Sequence, residues 1–207
     1  MSTLELNPMF LRMNKGIGNM IIYERNGKLF ARTKGKKTAP PSEAQKEVNA
    51  TFARLSSDWK SAGSLMNSSW QKHGVKKKSN GFNMYMKANF KREREGNAVE
   101  LFKPVGEIRP PAVSAVPGGS GEIICTCTIP AGETGRHIHF YAKKKIDGIS
   151  EGVFKRFSPE NNADGKYTLS NFDPGSEYFI YAALTDNIYQ DATQVSASAC
   201  TISMAGK

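Results

Sequence analysis

The chain has 207 residues and a formal net charge of +10, from 29 Lys and Arg against 19 Asp and Glu. That charge is lopsided: residues 1–104 hold 20 basic against 8 acidic side chains, and residues 105–207 hold 9 against 11. The length suits one domain or two. No apolar stretch approaches the roughly 20 residues of a membrane helix, and three cysteines without framework spacing argue against a disulfide-stapled scaffold.

In chain order, the first predicted element is a hairpin. Met20–Tyr23 and Leu29–Ala31 flank Asn26-Gly27, and Asn-Gly between strand-like runs suits a type I′ turn, which needs positive φ at both central residues. The opening MSTLELNPMFLRMNKGIG lacks a basic segment followed by an apolar run, so no secretory signal is expected. A basic, Pro-ended connector follows, and then Ser42 with Gln45 three residues on. This spacing is a capping box, in which each side chain satisfies a backbone N–H at a helix start. Ala44, Val48, Phe52, Leu55 and Trp59 predict one apolar stripe on the first helix, stopped at Gly63. Ser64 begins a second helix, carrying Trp70 and broken by Gly74 and Lys76-Lys77-Lys78. Ser79 or Asn80 caps a third, with Phe82, Tyr85, Met86, Asn89 and Phe90, ending near Gly96. The aromatics Phe52, Trp59, Trp70 and Phe82 are expected to form a small helical core, each contributing roughly 1.5–3 kcal/mol on burial. A base-stacking platform would need them exposed, which helical spacing argues against.

The cations cluster. Arg25, Lys28, Arg32, Lys34, Lys36 and Lys37 lie on the hairpin and connector, Lys72, Lys76, Lys77 and Lys78 between the second and third helices, and Lys87, Lys91, Arg92 and Arg94 at the last helix end. Some charge runs are only solvated faces. The functional readings are docking on an acidic protein surface and binding nucleic-acid phosphates, the second backbone-led and salt-sensitive because no zinc-finger, RNP-type or basic-zipper signature is present.

The runs GIGNMIIYERNGKLFARTKGKK, PPSEAQKEVNATFARLSSDWKS and GFNMYMKAN resemble an uncharacterised family found in bacterial and phage genomes. The resemblance rests on Gly16, Asn19, Arg25, Asn26, Gly27, Lys28, Arg32, Ser42, Ala44, Gln45, Phe52, Trp59, Trp70, Gly81, Asn83, Tyr85 and Asn89. It implies no catalytic activity. It implies phage or prophage association and a structural role; with no secretory signal and no framework cysteines, the expected location is a virion or the cytoplasm.

Residues 101–121, LFKPVGEIRPPAVSAVPGGSG, read as a connection rather than a helix, so a boundary is expected near Pro104–Val105. Beyond it, short alternating runs recur: Ala112–Val116, Glu122–Ile129, Arg136–Ala142, Gly152–Phe157, Lys166–Leu169, Glu177–Leu184 and Val195–Ile202. About seven strands in such a length argue for an immunoglobulin-like sandwich. The expected organisation is therefore an α+β module over 1–104, a β-hairpin plus about three helices, followed by an all-β sandwich over 105–207. Within the second half, YTLSNFDPGSEY resembles the fibronectin type III pattern. Leu169 and Phe172 would form the apolar pair, Pro174-Gly175 the turn, and Tyr178 the corner tyrosine, whose hydroxyl would bond backbone a few residues upstream. Phe140 stands where that pattern often carries Trp, which leaves the sandwich subtype open.

Cys125-x-Cys127 and His137-x-His139 could supply zinc ligands by type. Strand alternation puts the cysteines on the core face with Ile123 and Ile129, and the histidines opposite Ile138 and Phe140, so no metal is expected. No nucleophile elbow, zinc-protease helix or phosphate loop is present. His73 lies beside Lys72 without a nearby nucleophile, and Glu93 and Glu95 sit in a charged helix end. The expectation is a non-enzymatic assembly protein without cofactor that joins other subunits in a homo- or hetero-oligomer and has no membrane partner. The alternatives are a nucleic-acid-binding protein and a bacterial surface or adhesion module.

Overall fold

The computed structural model describes residues 19–25, 28–35, 39–147, 149–160, 162, 164–187 and 192–207. The chain divides into two compact units, residues 1–43 and 44–207. In the first, β1 (Met20–Arg25) and β2 (Lys28–Thr33) pair antiparallel, with Arg25 opposite Lys28. Asn26 and Gly27, the expected turn, lie outside the described residues. Tyr23 stacks on Phe30 with ring centres 5.7 Å apart, and the Arg32 guanidinium lies 5.9 Å from the centre of the Tyr23 ring.

Three helices open the second unit: α1 (Glu43–Ser61), α2 (Ser64–Lys76) and α3 (Gly81–Arg94). Ser42 precedes α1 directly and Gln45 lies in its first turn, the positions expected of the capping box. The predicted stripe of α1 is buried only in its second half, where Leu55 is fully buried and Trp59 half-buried. No residue from 43 to 50 is buried, and Phe52 is 49% exposed, meeting Phe82 edge-on at 6.2 Å. The buried positions are Thr51, Leu55 and Asp58, followed by Ala62 just past the helix. Their spacing is also helical, but it defines a neighbouring face, which holds a hydroxyl and a carboxylate that a purely apolar pattern passes over.

Gly74 does not break α2. It lies within the helix, where a Cβ would come within 2.7 Å of the Ser79 carbonyl oxygen. Across the same crossing, a Cβ on Gly81 would meet the Gln71 amide nitrogen at 2.6 Å. These two glycines let α2 turn tightly into α3. The end of α2 is a Schellman arrangement in which Ser79 N–H donates to Gly74 O and Lys78 N–H to Val75 O. Lys78 takes the left-handed conformation that makes it possible, with φ 51°. Asn80 is the N-cap of α3, its side-chain oxygen accepting from the Asn83 N–H at 2.7 Å.

Seven strands follow: β3 (Ala112–Pro117), β4 (Ile123–Thr128), β5 (His137–Ile146), β6 (Ile149–Phe157), β7 (Lys166–Leu169), β8 (Glu177–Thr185) and β9 (Ala199–Met204). They form two antiparallel sheets, ordered β3-β4-β7 and β6-β5-β8-β9. Ile123, Cys125, Ile138, Phe140, Ile180 and Leu184 fill the space between the sheets. The Tyr178 hydroxyl accepts from the Asp173 N–H at 3.1 Å, the bond expected of a corner tyrosine.

The outer face of the four-stranded sheet is covered as well. Tyr141, Phe154, Phe179, Tyr181 and Ala183 join Leu55, Leu65, Met66, Trp70, Tyr85 and Phe102 in a second core between the sheet and the helices. The connector belongs to that core. Leu101 and Phe102 are fully buried, the Asn89 amide bonds both the N–H and the carbonyl of Glu100, and Val105 exchanges two backbone hydrogen bonds with Val195. The composition change near Pro104–Val105 is therefore a change of secondary structure inside one compact unit, because the chain there is pinned on both sides.

Candidate docking surface

Between helices and sheet, the packing encloses charge. Asp58 and Lys143 form an ion pair in which the side chains are 0% and 1% exposed. The Tyr85 hydroxyl donates to the second Asp58 oxygen at 3.4 Å. Glu93 of α3 is buried too, held by Arg54 at 2.7 Å and by the Ser150 hydroxyl at 2.8 and 2.9 Å. Glu93 thus leaves the charged helix end in which its sequence neighbours place it. Burial is the largest influence on Asp58 and pushes its carboxyl up to about 6 against the pull of Lys143. The arrangement welds α1 and α3 to β5 and β6 and leaves only Arg54 partly exposed.

The exposed charge lies elsewhere. Lys76, Lys77 and Lys78 are exposed at the tight end of α2, and among the described residues no carboxylate lies within 4 Å of them. Elsewhere many cations are paired: Arg54, Lys91, Arg94 and Lys103 among the helices and connector, and Arg136, Lys143, Lys144 and Lys145 in the sandwich, each lie within 4 Å of a carboxylate. On the hairpin, Arg32 and Lys34 are exposed, Arg25 and Lys28 stand opposite each other at its closed end, and Lys36 and Lys37 lie outside the described residues. Each unit thus carries part of the predicted set.

The aromatics divide. Trp70 is fully buried and its indole N–H donates to Leu101 O at 3.0 Å. Trp59 is half-buried between Phe82 and Tyr85, at 5.6 and 5.8 Å. Phe82 is half-buried and Phe52 exposed.

The cysteine and histidine pairs occupy opposite faces. Cys125 and Cys127 are buried between the sheets, where burial pushes their thiols up to about 12 and about 11, so neither is a ready thiolate. His139 is fully buried on the other face. Its Nδ1 lies 2.7 Å from the Ser158 hydroxyl and its Nε2 3.0 Å from that of Thr185. Burial holds this imidazole below its ordinary range, against the bond to the Asn187 carbonyl.

Sequence reasoning missed the Asp58–Lys143 pair, Glu93 with Ser150, and the covering of the sheet. One signal was available: YFIYAAL in β8 has no polar residue at alternate positions, as a strand buried on both faces requires.

Strand order, two-sheet packing and corner tyrosine define the all-β part as a fibronectin type III-like sandwich of the immunoglobulin-like class. No protein-family model and no curated protein matches the chain. Among solved structures, it is similar to a myokine, at 11% identity over 49% of this chain and 100% of that one, with a TM-score of 0.39. It is similar to domains d3–d4 of the rat CD45 extracellular region, at 15% identity over 49% and 51% of the two chains, TM-score 0.31. A third is the fibronectin type III domain of human fibronectin type III domain containing protein 3, at 17% identity over 49% and 92%, TM-score 0.33. No helix among the described residues is long and apolar enough to cross a membrane.

Proposed function

We propose that this chain is a non-enzymatic assembly protein of a phage-like particle, docking on an acidic partner through its hairpin and helical layer and carrying the sandwich as a rigid appendage. The observation that carries this reading is a cluster of cations without carboxylate partners. Lys76, Lys77 and Lys78 are exposed at one helix end, and among the described residues no carboxylate lies within 4 Å of them. Unpaired clustered cations raise the local potential and steer an acidic surface toward them. The choice of particle rests only on the motif resemblance read in residues 16–89, since no family model matches the chain. The sandwich supports a display role by analogy of fold alone.

The expected result is recovery of the chain at fixed stoichiometry in particles purified by sedimentation. Reversing Lys76, Lys77 and Lys78 to Glu should lower occupancy by at least about tenfold and weaken its salt dependence. Free monomer as the sole species in such lysates contradicts the proposal. A mobility shift on DNA or RNA with a steep salt slope would instead make nucleic acid the acidic partner.

A further inference from the structure

Beside the exposed lysines is a groove of about 370 Å³ lined by Lys72, His73, Val75 and Lys76 of α2 and by Pro104 and Val105 of the connector. Its two components are of opposite character. Val75 is 74% exposed, an unusual position for an aliphatic side chain on a helix that is otherwise polar outward, and with Pro104 and Val105 it makes an aliphatic floor. Lys72, His73 and Lys76 rim that floor, and Lys77 and Lys78 extend the positive charge past the helix end. Lys72 is held over the groove by a hydrogen bond to the Thr193 carbonyl at 2.9 Å. The volume is at the small end of the range for ligand pockets, roughly 300–1,000 Å³, which suits one inserted side chain with the backbone that bears it.

We propose that this groove binds an acidic peptide segment that seats one apolar side chain on Val75, Pro104 and Val105 while its carboxylates meet Lys72, His73 and Lys76. The inference rests on the reading of the basic helical layer as a docking surface and names the chemistry of its partner. Charge complementarity selects an acidic occupant. The floor selects peptide over nucleic acid, because bases bind such sites by stacking on aromatic faces, while the floor is aliphatic, Trp70 is fully buried and the His73 ring is half-buried edge-on against it. The groove was not legible in the sequence, since Val75 and Pro104 are separated by all of α3.

The test titrates the full chain, by fluorescence anisotropy, with labelled octapeptides of Asp and Glu carrying Leu, Ile or Phe at the fourth position. The same peptides with Ser at that position, and a single-stranded oligonucleotide of equal charge, are the comparisons. At least one apolar peptide should bind about tenfold tighter than its Ser counterpart, the scale of burying one aliphatic group. That preference should vanish in Val75→Ser, which leaves the charge intact at an exposed position, and Lys76→Glu should weaken every peptide. The inference is overturned if no apolar peptide binds, if apolar and Ser peptides bind alike, if Val75→Ser changes nothing, or if the oligonucleotide binds more tightly than any peptide. Loss of particle association on reversing the three lysines, but not in Val75→Ser, would refute the groove and leave the docking reading standing.

Discussion

Replacing Lys143 by Met is expected to destabilise the second unit by about 3–5 kcal/mol at neutral pH, the usual consequence of leaving a buried charge without its partner. Domains are held by only about 5–15 kcal/mol, so the variant should lie close to its unfolding threshold. The loss should depend on pH in a defined sense. Asp58 faces Lys143 from β5, Tyr85 and Glu93 from α3 and, beyond Glu93, Arg54 of its own helix. With Lys143 present, its carboxyl is already raised to about 6 by burial, and removing the ammonium raises it further. A carboxyl whose folded value exceeds its unfolded value holds its proton more tightly in the folded state. Its favourable contribution is therefore complete below the ordinary carboxylate range and is lost as pH rises through the folded value. Urea denaturation of Lys143→Met should accordingly show a smaller loss at pH 5 than at pH 8. Combining it with Asp58→Leu should restore most of the stability, since an apolar pair can replace a buried ion pair at little cost. A loss that is equal at both pH values, or below about 1 kcal/mol, would show that the pair is not buried as described.

The second large effect concerns the sandwich alone. A fragment spanning residues 105–207 is expected not to fold stably. Removing the helices would strip the cover from Tyr141, Phe154, Phe179 and Tyr181, each buried in the helix–sheet core. At roughly 1.5–3 kcal/mol per large side chain, the four together represent about 6–12 kcal/mol, as much as a small domain has in total. The fragment would also leave Lys143 without Asp58 and would free Val195 from its bonds to Val105 only if the cut were placed one residue later. Circular dichroism and proteolysis should find it largely unfolded or aggregated, whereas residues 44–207 resist protease. A monomeric fragment with a cooperative melt like that of the whole chain would contradict this.

What the sequence disclosed, and what it withheld, follows the range of the interactions. Strands and helix ends are written locally. The period-two runs placed β4, β7 and β8 within a residue or two, Asn80 served as the third helix's cap, and the Pro-Gly turn with Tyr178 gave the sandwich corner. The covering of the outer sheet face depends on contacts distant in the chain. Asp58 and Lys143 are 85 positions apart. In sequence, one is a charged residue on a helix and the other starts a Lys-Lys-Lys run that looks like a solvated strand end. The same limit applied to the docking surface. Charge runs located the cations, but only the fold shows that Arg94 is paired with Glu47 while the lysines after α2 meet no carboxylate among the described residues. Phe52 is the converse case: its spacing fits a core stripe, yet the buried face of α1 runs through Thr51, Leu55 and Asp58 instead.

Whether helices and sandwich are one folding unit can be read from two probes in the same chain. Trp59 and Trp70 are the only tryptophans of the sequence and both lie in the helical layer. Cys125 and Cys127 lie between the sheets. In a Cys200→Ser background, tryptophan fluorescence and thiol labelling should report a single urea midpoint, as two-state unfolding requires. Thiols that stay protected at urea concentrations where the tryptophan signal is already that of the unfolded chain would show a sandwich that stands without its helices, and would contradict the account.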